Sequence, residues 1–157
     1  MKPKLYLETT IPSYLTSWSS RDLIIAGHQQ ITKEWWKNRR DAFNIYVSQF
    51  VIDEAKAGDP AAARERMKVI KGFPLLDITP EVGMIAADIL DLKVIPRRAV
   101  TDAAHIAVAT VHRIDFLMTW NCVHLANAVI IKEVAKVCRR NGFECPAICT
   151  PEELLGE

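Results

Sequence analysis

The sequence predicts an α/β fold, a central, mostly parallel sheet with helices on both faces. Three observations point there. Short runs of β-branched and aromatic residues alternate along the chain with longer amphipathic stretches, the pattern of βαβ units. The 157 residues are enough for one domain with its own apolar core, and 50% of them are hydrophobic against 25% charged. No linker, low-complexity tract or repeat divides residues 1–157, so they are read as a single domain.

The elements follow in order. "KLYLE" is a first strand, and Pro12 in "TTIPSYLTSW" suits the first turn of a short helix capped by Thr10. "RDLIIAGHQQITKEWWKNRR" places Leu23, Ile24, Ile31, Trp35 and Trp36 at mostly helical spacing and ends in cations that favour a helix C-terminus. "AFNIYVS" is a second strand, and "QFVIDEAKAG" a helix stopped by Gly58. "DPAAARERMKVIKGF" has Asp59 as N-cap, Pro60 at the first helical position and Gly72 at its end. "PLLDIT" is a third strand, followed by the helices "PEVGMIAADILDLKVI" and "VTDAAHIAVATVHRI". "DFLMTW" is a fourth strand, "ANAVIIKEVAKVCRRNG" a helix ending at Gly142, and "PAICT" the last strand.

In such sheets ligands bind outside the carboxyl ends of the strands. That edge collects Glu8 at the end of the first strand and Glu54 in the helix after the second. Asp102 opens an apolar helix, and Asn121 closes the fourth strand. Converging carboxylates repel one another unless a cation is present. Mg²⁺, which prefers oxygen ligands and tolerates substrate phosphate in its shell, answers that need and suits phosphodiester hydrolysis. Taken singly, each residue also has a plain structural reading: a solvated strand end, a helix-dipole charge, a surface acid or a loop cap.

Other features have narrower implications. The formal net charge of +1 gives no global field for nucleic acid, so any basic surface must be local. No secretion signal or membrane-length apolar run is present, which predicts a cytoplasmic protein without membrane contact. Cys122, Cys138, Cys145 and Cys149 lack paired knuckle spacing and are expected as buried small hydrophobes. His105, on an apolar helix, is expected to be a satisfied structural histidine, while His124 in "NCVHLAN" is an auxiliary candidate near the site. "KEWWKNRR" mixes tryptophan with cations as single-strand binders do, but packing of Trp35 and Trp36 on a neighbouring helix or a second subunit is the stronger reading. Trp18 and Trp120 are read as core or rim residues. No Gly-rich phosphate loop is present, which argues against a nucleotide-binding or phosphatase fold of another doubly wound type.

In order along the chain, "YLETTIPSYL", "VIDEAKAG" and "TDAAHIAVATVHRIDFLMTWN" resemble the PIN domain, in particular the VapC-like toxins of type II toxin–antitoxin systems. The resemblance implies a three-layer α/β/α domain and a metal-dependent endoribonuclease using Mg²⁺ or Mn²⁺. The family's metal-binding acids fall on Glu8, Glu54 and Asp102, and its strand-end acid on Asn121. Its substrate-positioning hydroxyls fall on Thr10 and Thr119. An RNA substrate, a cognate antitoxin protein and a homodimer are the implied partners. Two departures stand out: glutamate replaces the usual first aspartate, and Asn121 removes a charge. They keep open the alternative of a PIN-like module that binds RNA or a protein without cutting.

Overall fold

The computed structural model describes residues 1–156. Five parallel strands form one sheet: β1 (Lys4–Leu7), β2 (Asn44–Ser48), β3 (Leu75–Leu76), β4 (Phe116–Met118) and β5 (Ala147–Cys149). Their order is β3-β2-β1-β4-β5, so β1 is central and the strand order reverses between β1 and β4. Leu5 pairs with Ile45 on one side and Phe116 on the other. Leu5, Tyr6 and Leu7 are fully buried, as a strand covered on both faces requires. Parallel strands need long crossovers, which here are helical.

The helices are α1 (Thr10–Thr16), α2 (Leu23–Asn38), α3 (Gln49–Lys56), α4 (Pro60–Ile70), α5 (Pro80–Asp91), α6 (Val100–Val111) and α7 (Ala128–Arg140). α5 packs on α6 and α7, whereas α1 packs on α2 and α4, giving a three-layer α/β/α architecture. α6 is buried from Ala103 to Thr110, so it reads as apolar nearly all round. Gly58 and Gly72 follow α3 and α4 with positive φ, a conformation glycine adopts without strain.

Several local expectations change. Thr10 does not cap α1; Thr9 precedes the helix and Thr10 is its first residue, its hydroxyl being committed to Glu8. α2 stops at Asn38, before Arg39 and Arg40, and is capped by Asp22, whose carboxylate accepts from the Ile24 and Ile25 amides. Leu23 and Ile24 lie in the exposed first turn, and Trp18 is 95% exposed instead of at a rim. β3 keeps only two of the residues of "PLLDIT", and α5 ends at Asp91, where Lys93 takes a positive φ. Cys138 and Cys149 are buried and Cys145 half-buried, but Cys122 is exposed in the loop after β4.

Candidate metal centre

Three chain segments meet beyond the carboxyl end of the sheet. Glu8 follows β1 directly, and its amide still bonds the Met118 carbonyl of β4 at 3.2 Å. That places its side chain at the topological switch point, where open α/β sheets form their ligand crevice. The carboxylate is 3% exposed. Its Oε1 accepts from the Thr10 amide at 3.1 Å, the Thr10 hydroxyl at 2.5 Å and the Thr119 hydroxyl at 2.6 Å.

Both hydroxyls have their direction fixed from behind. Thr10 Oγ1 accepts from the Trp120 amide at 2.8 Å, and Thr119 Oγ1 from the Asn121 amide at 2.9 Å. Each oxygen thus receives a backbone proton and turns its own toward Glu8. Glu8 Oε2 has no hydrogen-bond partner among the described residues. All three hydrogen bonds thus fall on one oxygen of the carboxylate.

Glu54 arrives from α3 with a similar division of labour. Its Oε1 takes the Thr9 hydroxyl at 2.7 Å and His105 Nε2 at 2.6 Å, while Oε2 is unengaged among the described residues. A carboxylate only accepts, so Nε2–H donates. On the other side of the ring, His105 Nδ1 meets Tyr6 Oη at 2.6 Å, and Tyr6 Oη meets Ser48 Oγ at 2.7 Å. With Nδ1 unprotonated, the phenol donates to it and Ser48 donates to the phenol. The whole relay Ser48–Tyr6–His105 is buried and holds the Glu54 carboxylate in place.

Ligand atoms of Glu8, Glu54 and His105 lie within 4.8 Å of one another. His105 is fully buried with both ring nitrogens engaged, so ligating an ion would break its bond to Glu54. It acts on the centre by orienting Glu54, as partners behind a metal ligand do. The electrostatics separate the two acids. Burial pushes the Glu8 carboxyl above its ordinary value, against the pull of the Thr10 and Thr119 hydrogen bonds. Burial also raises Glu54, but the hydrogen bonds from His105 and Thr9 outweigh it and hold the group below the ordinary value. Burial lifts the Tyr6 phenol well above its usual range, the Ser48 bond opposing and the two glutamates adding, so it stays a protonated donor.

Asp102 lies outside the 4.8 Å group. It sits in the first turn of α6, three residues before His105 and so on the same helix face. Its Oδ2 meets His124 Nδ1 at 2.9 Å, with the two side chains 16% and 22% exposed. Asn121 lies beyond the end of β4 and caps the loop: its Oδ1 accepts the His124 amide at 3.0 Å, and its carbonyl the Leu125 and Ala126 amides. Of the residues expected from the sequence, Glu8, Glu54, Thr10 and Thr119 therefore converge directly, and Asp102, His124 and Asn121 form an adjoining set.

Thr9, Tyr6 and Ser48 were not expected at the site, and His105 was expected only as a structural residue. The i, i+3 spacing of Asp102 and His105 is the sequence signal for the last. No protein-family model matches the chain, and no curated protein matches it significantly.

Proposed function

We propose that the protein is a PIN-like, metal-dependent endoribonuclease. The observation that supports this reading is the pair of glutamates whose Oε1 atoms are saturated by the protein and whose Oε2 atoms are free, Glu8 buried and Glu54 open to solvent on one side. A buried carboxylate without a compensating cation is costly. The all-oxygen pair fits Mg²⁺ or Mn²⁺, with Glu8 and Glu54 as the residues that would hold it. Such an ion supplies Lewis-acid stabilisation of phosphoryl oxygens and a more acidic water.

The chain's own groups carry the remaining tasks. Thr10 and Thr119 keep Glu8 ionisable inside the fold and aim its second oxygen. His105, steadied by Tyr6 and Ser48, fixes the rotamer and charge of Glu54. Asp102 and His124 border the centre, where an acid and an imidazole bonded to each other can position a water or a phosphate oxygen. The role of a toxin in a toxin–antitoxin pair, an antitoxin partner, a homodimer and a cytoplasmic setting belong to the same reading.

One observation favours the non-cutting alternative. Asn121 Oδ1 and Asp102 Oδ2 are already engaged by His124, which leaves fewer free acidic oxygens than a four-acid site offers. The test is incubation with a mixed pool of structured and single-stranded RNA in chelator, Mg²⁺ or Mn²⁺, beside Glu8→Gln and Asp102→Asn controls. Cleavage that needs metal and is lost in Glu8→Gln supports the nuclease. Folded protein that cuts nothing in either metal but binds RNA equally well in chelator supports the binding module.

A further inference from the structure

Away from the metal centre, α4 and the C-terminal end of α2 carry a local cationic and aromatic surface. Arg64, Lys68 and Lys71 are exposed at spacings of four and three residues, so they line one side of α4 and its C-cap. Together with Lys56 they border an apolar cavity of about 650 Å³ whose floor includes Ile52, Met67, Ile70 and Leu75. No acid lines that cavity. Among the described residues Lys56, Arg64 and Lys71 have no ion-pair partner, and Lys68 has only Glu65 at 2.9 Å. An exposed pair of that kind contributes little and yields readily to a stronger anion.

Lys68 and Phe73 are shared with a second cavity of about 720 Å³, which adds Trp36, Arg40, Asn44 and Tyr46. Trp36 is only half-buried, meets Phe73 edge-on at 6.2 Å, and carries the Arg40 guanidinium 4.8 Å from its ring centroid. Trp35, its neighbour, is fully buried, and Trp36 packs against the same core with one side left partly open. The charges of this cavity are balanced, Arg40 against Asp41 and Lys68 against Glu65. A neutral planar ring therefore suits it better than an anion. Beyond Arg64, a third concavity is lined by the exposed Trp18.

A row of cations beside an aromatic recess is the arrangement that holds single strands, with phosphates on the cations and bases on the rings. We propose that this face binds single-stranded RNA, with phosphates along Lys56, Arg64, Lys68 and Lys71 and one base in the Trp36 recess. α1 runs from Thr10 at the metal centre to Thr16 at both the second and the third cavity, a span of about 9 Å, while Lys56 lies two residues after Glu54 and so on another side of α3. The placement of the cleaved bond relative to this face rests on the nuclease reading; the binding itself does not.

The test is fluorescence anisotropy in chelator with a short labelled single-stranded RNA and an abasic strand of equal length. The expected result is at least about tenfold weaker binding by Arg64→Glu/Lys71→Glu, with a shallower salt dependence. Trp36→Ala weakens the natural strand by about tenfold and leaves the abasic strand unchanged, whereas Trp36→Phe restores most of the loss. Wild-type affinity in the charge-reversed protein overturns the proposal. So does equal affinity for natural and abasic strands, or displacement by poly-glutamate as effective as by RNA, which assigns the face to acidic protein. Binding without cleavage leaves this face standing and removes the nuclease. Cleavage with binding unchanged by the variants does the reverse.

Discussion

The Thr119 hydroxyl donates to Glu8 Oε1 at 2.6 Å, joining residues 111 positions apart through the parallel pairing of β1 with β4. This bond makes the central acid a product of sheet register. Thr119 also accepts the Asn121 amide, so Thr119→Val unpairs two groups at once in a buried setting. We expect a loss of about 1–3 kcal/mol in stability. Thr119→Ser retains the hydroxyl and stays close to wild type. Urea unfolding of the two variants checks this.

The Glu8 carboxyl sits above its ordinary value of 4.5, chiefly through burial. The folded state then holds a proton that the unfolded chain has released. In chelator, stability therefore falls as pH rises from about 4.5 through the folded value of Glu8. Glu54 has the opposite sign. Its carboxyl is held below 4.5, so its contribution is present above that pH and is lost as pH falls through its folded value. Calorimetric melting across mild acid pH should show the first slope flatten in Glu8→Gln. Saturating Mn²⁺ should also flatten it, because the cation compensates the buried charge.

His105 joins the Tyr6 phenol to the Glu54 carboxylate. His105→Phe keeps a planar ring but leaves both partners short of a bond, so it should cost about 2 kcal/mol or more in stability. If His105 only positions Glu54, divalent-ion affinity falls by about 10- to 100-fold while the number of ions bound is unchanged. Isothermal titration with Mn²⁺ reads both quantities.

The Asp102–His124 contact predicts coupling between two otherwise distant segments of chain. A double-mutant cycle of Asp102→Asn and His124→Ala should give an interaction energy of about 0.5–3 kcal/mol. Additive melting free energies would show the contact to be without energetic weight.

The alternation of strand and helix formers made the architecture legible, because each period reflects burial on a defined face. Glu8 and Glu54 were legible as well, since the end of β1 and the helix following β2 point to one edge of any parallel sheet. Other features depend on distances that no spacing encodes. Asp102 and His105 share a helix face, yet His105 joins the glutamates and Asp102 turns to His124. Tyr6 sits inside a strand where alternation marks only burial, so its link to His105 was invisible. Trp18 and Leu23 reverse the usual reading of large apolar residues, because the segment between α1 and α2 runs over the surface.

The most direct measurement is Mn²⁺ binding to the wild-type protein and to Glu8→Gln and Glu54→Gln, with folding monitored by circular dichroism. The two-carboxylate centre predicts ion binding by the wild type that weakens at least tenfold in either variant while the fold is retained. Wild-type affinity in both folded variants, or no binding by the wild type, would contradict it.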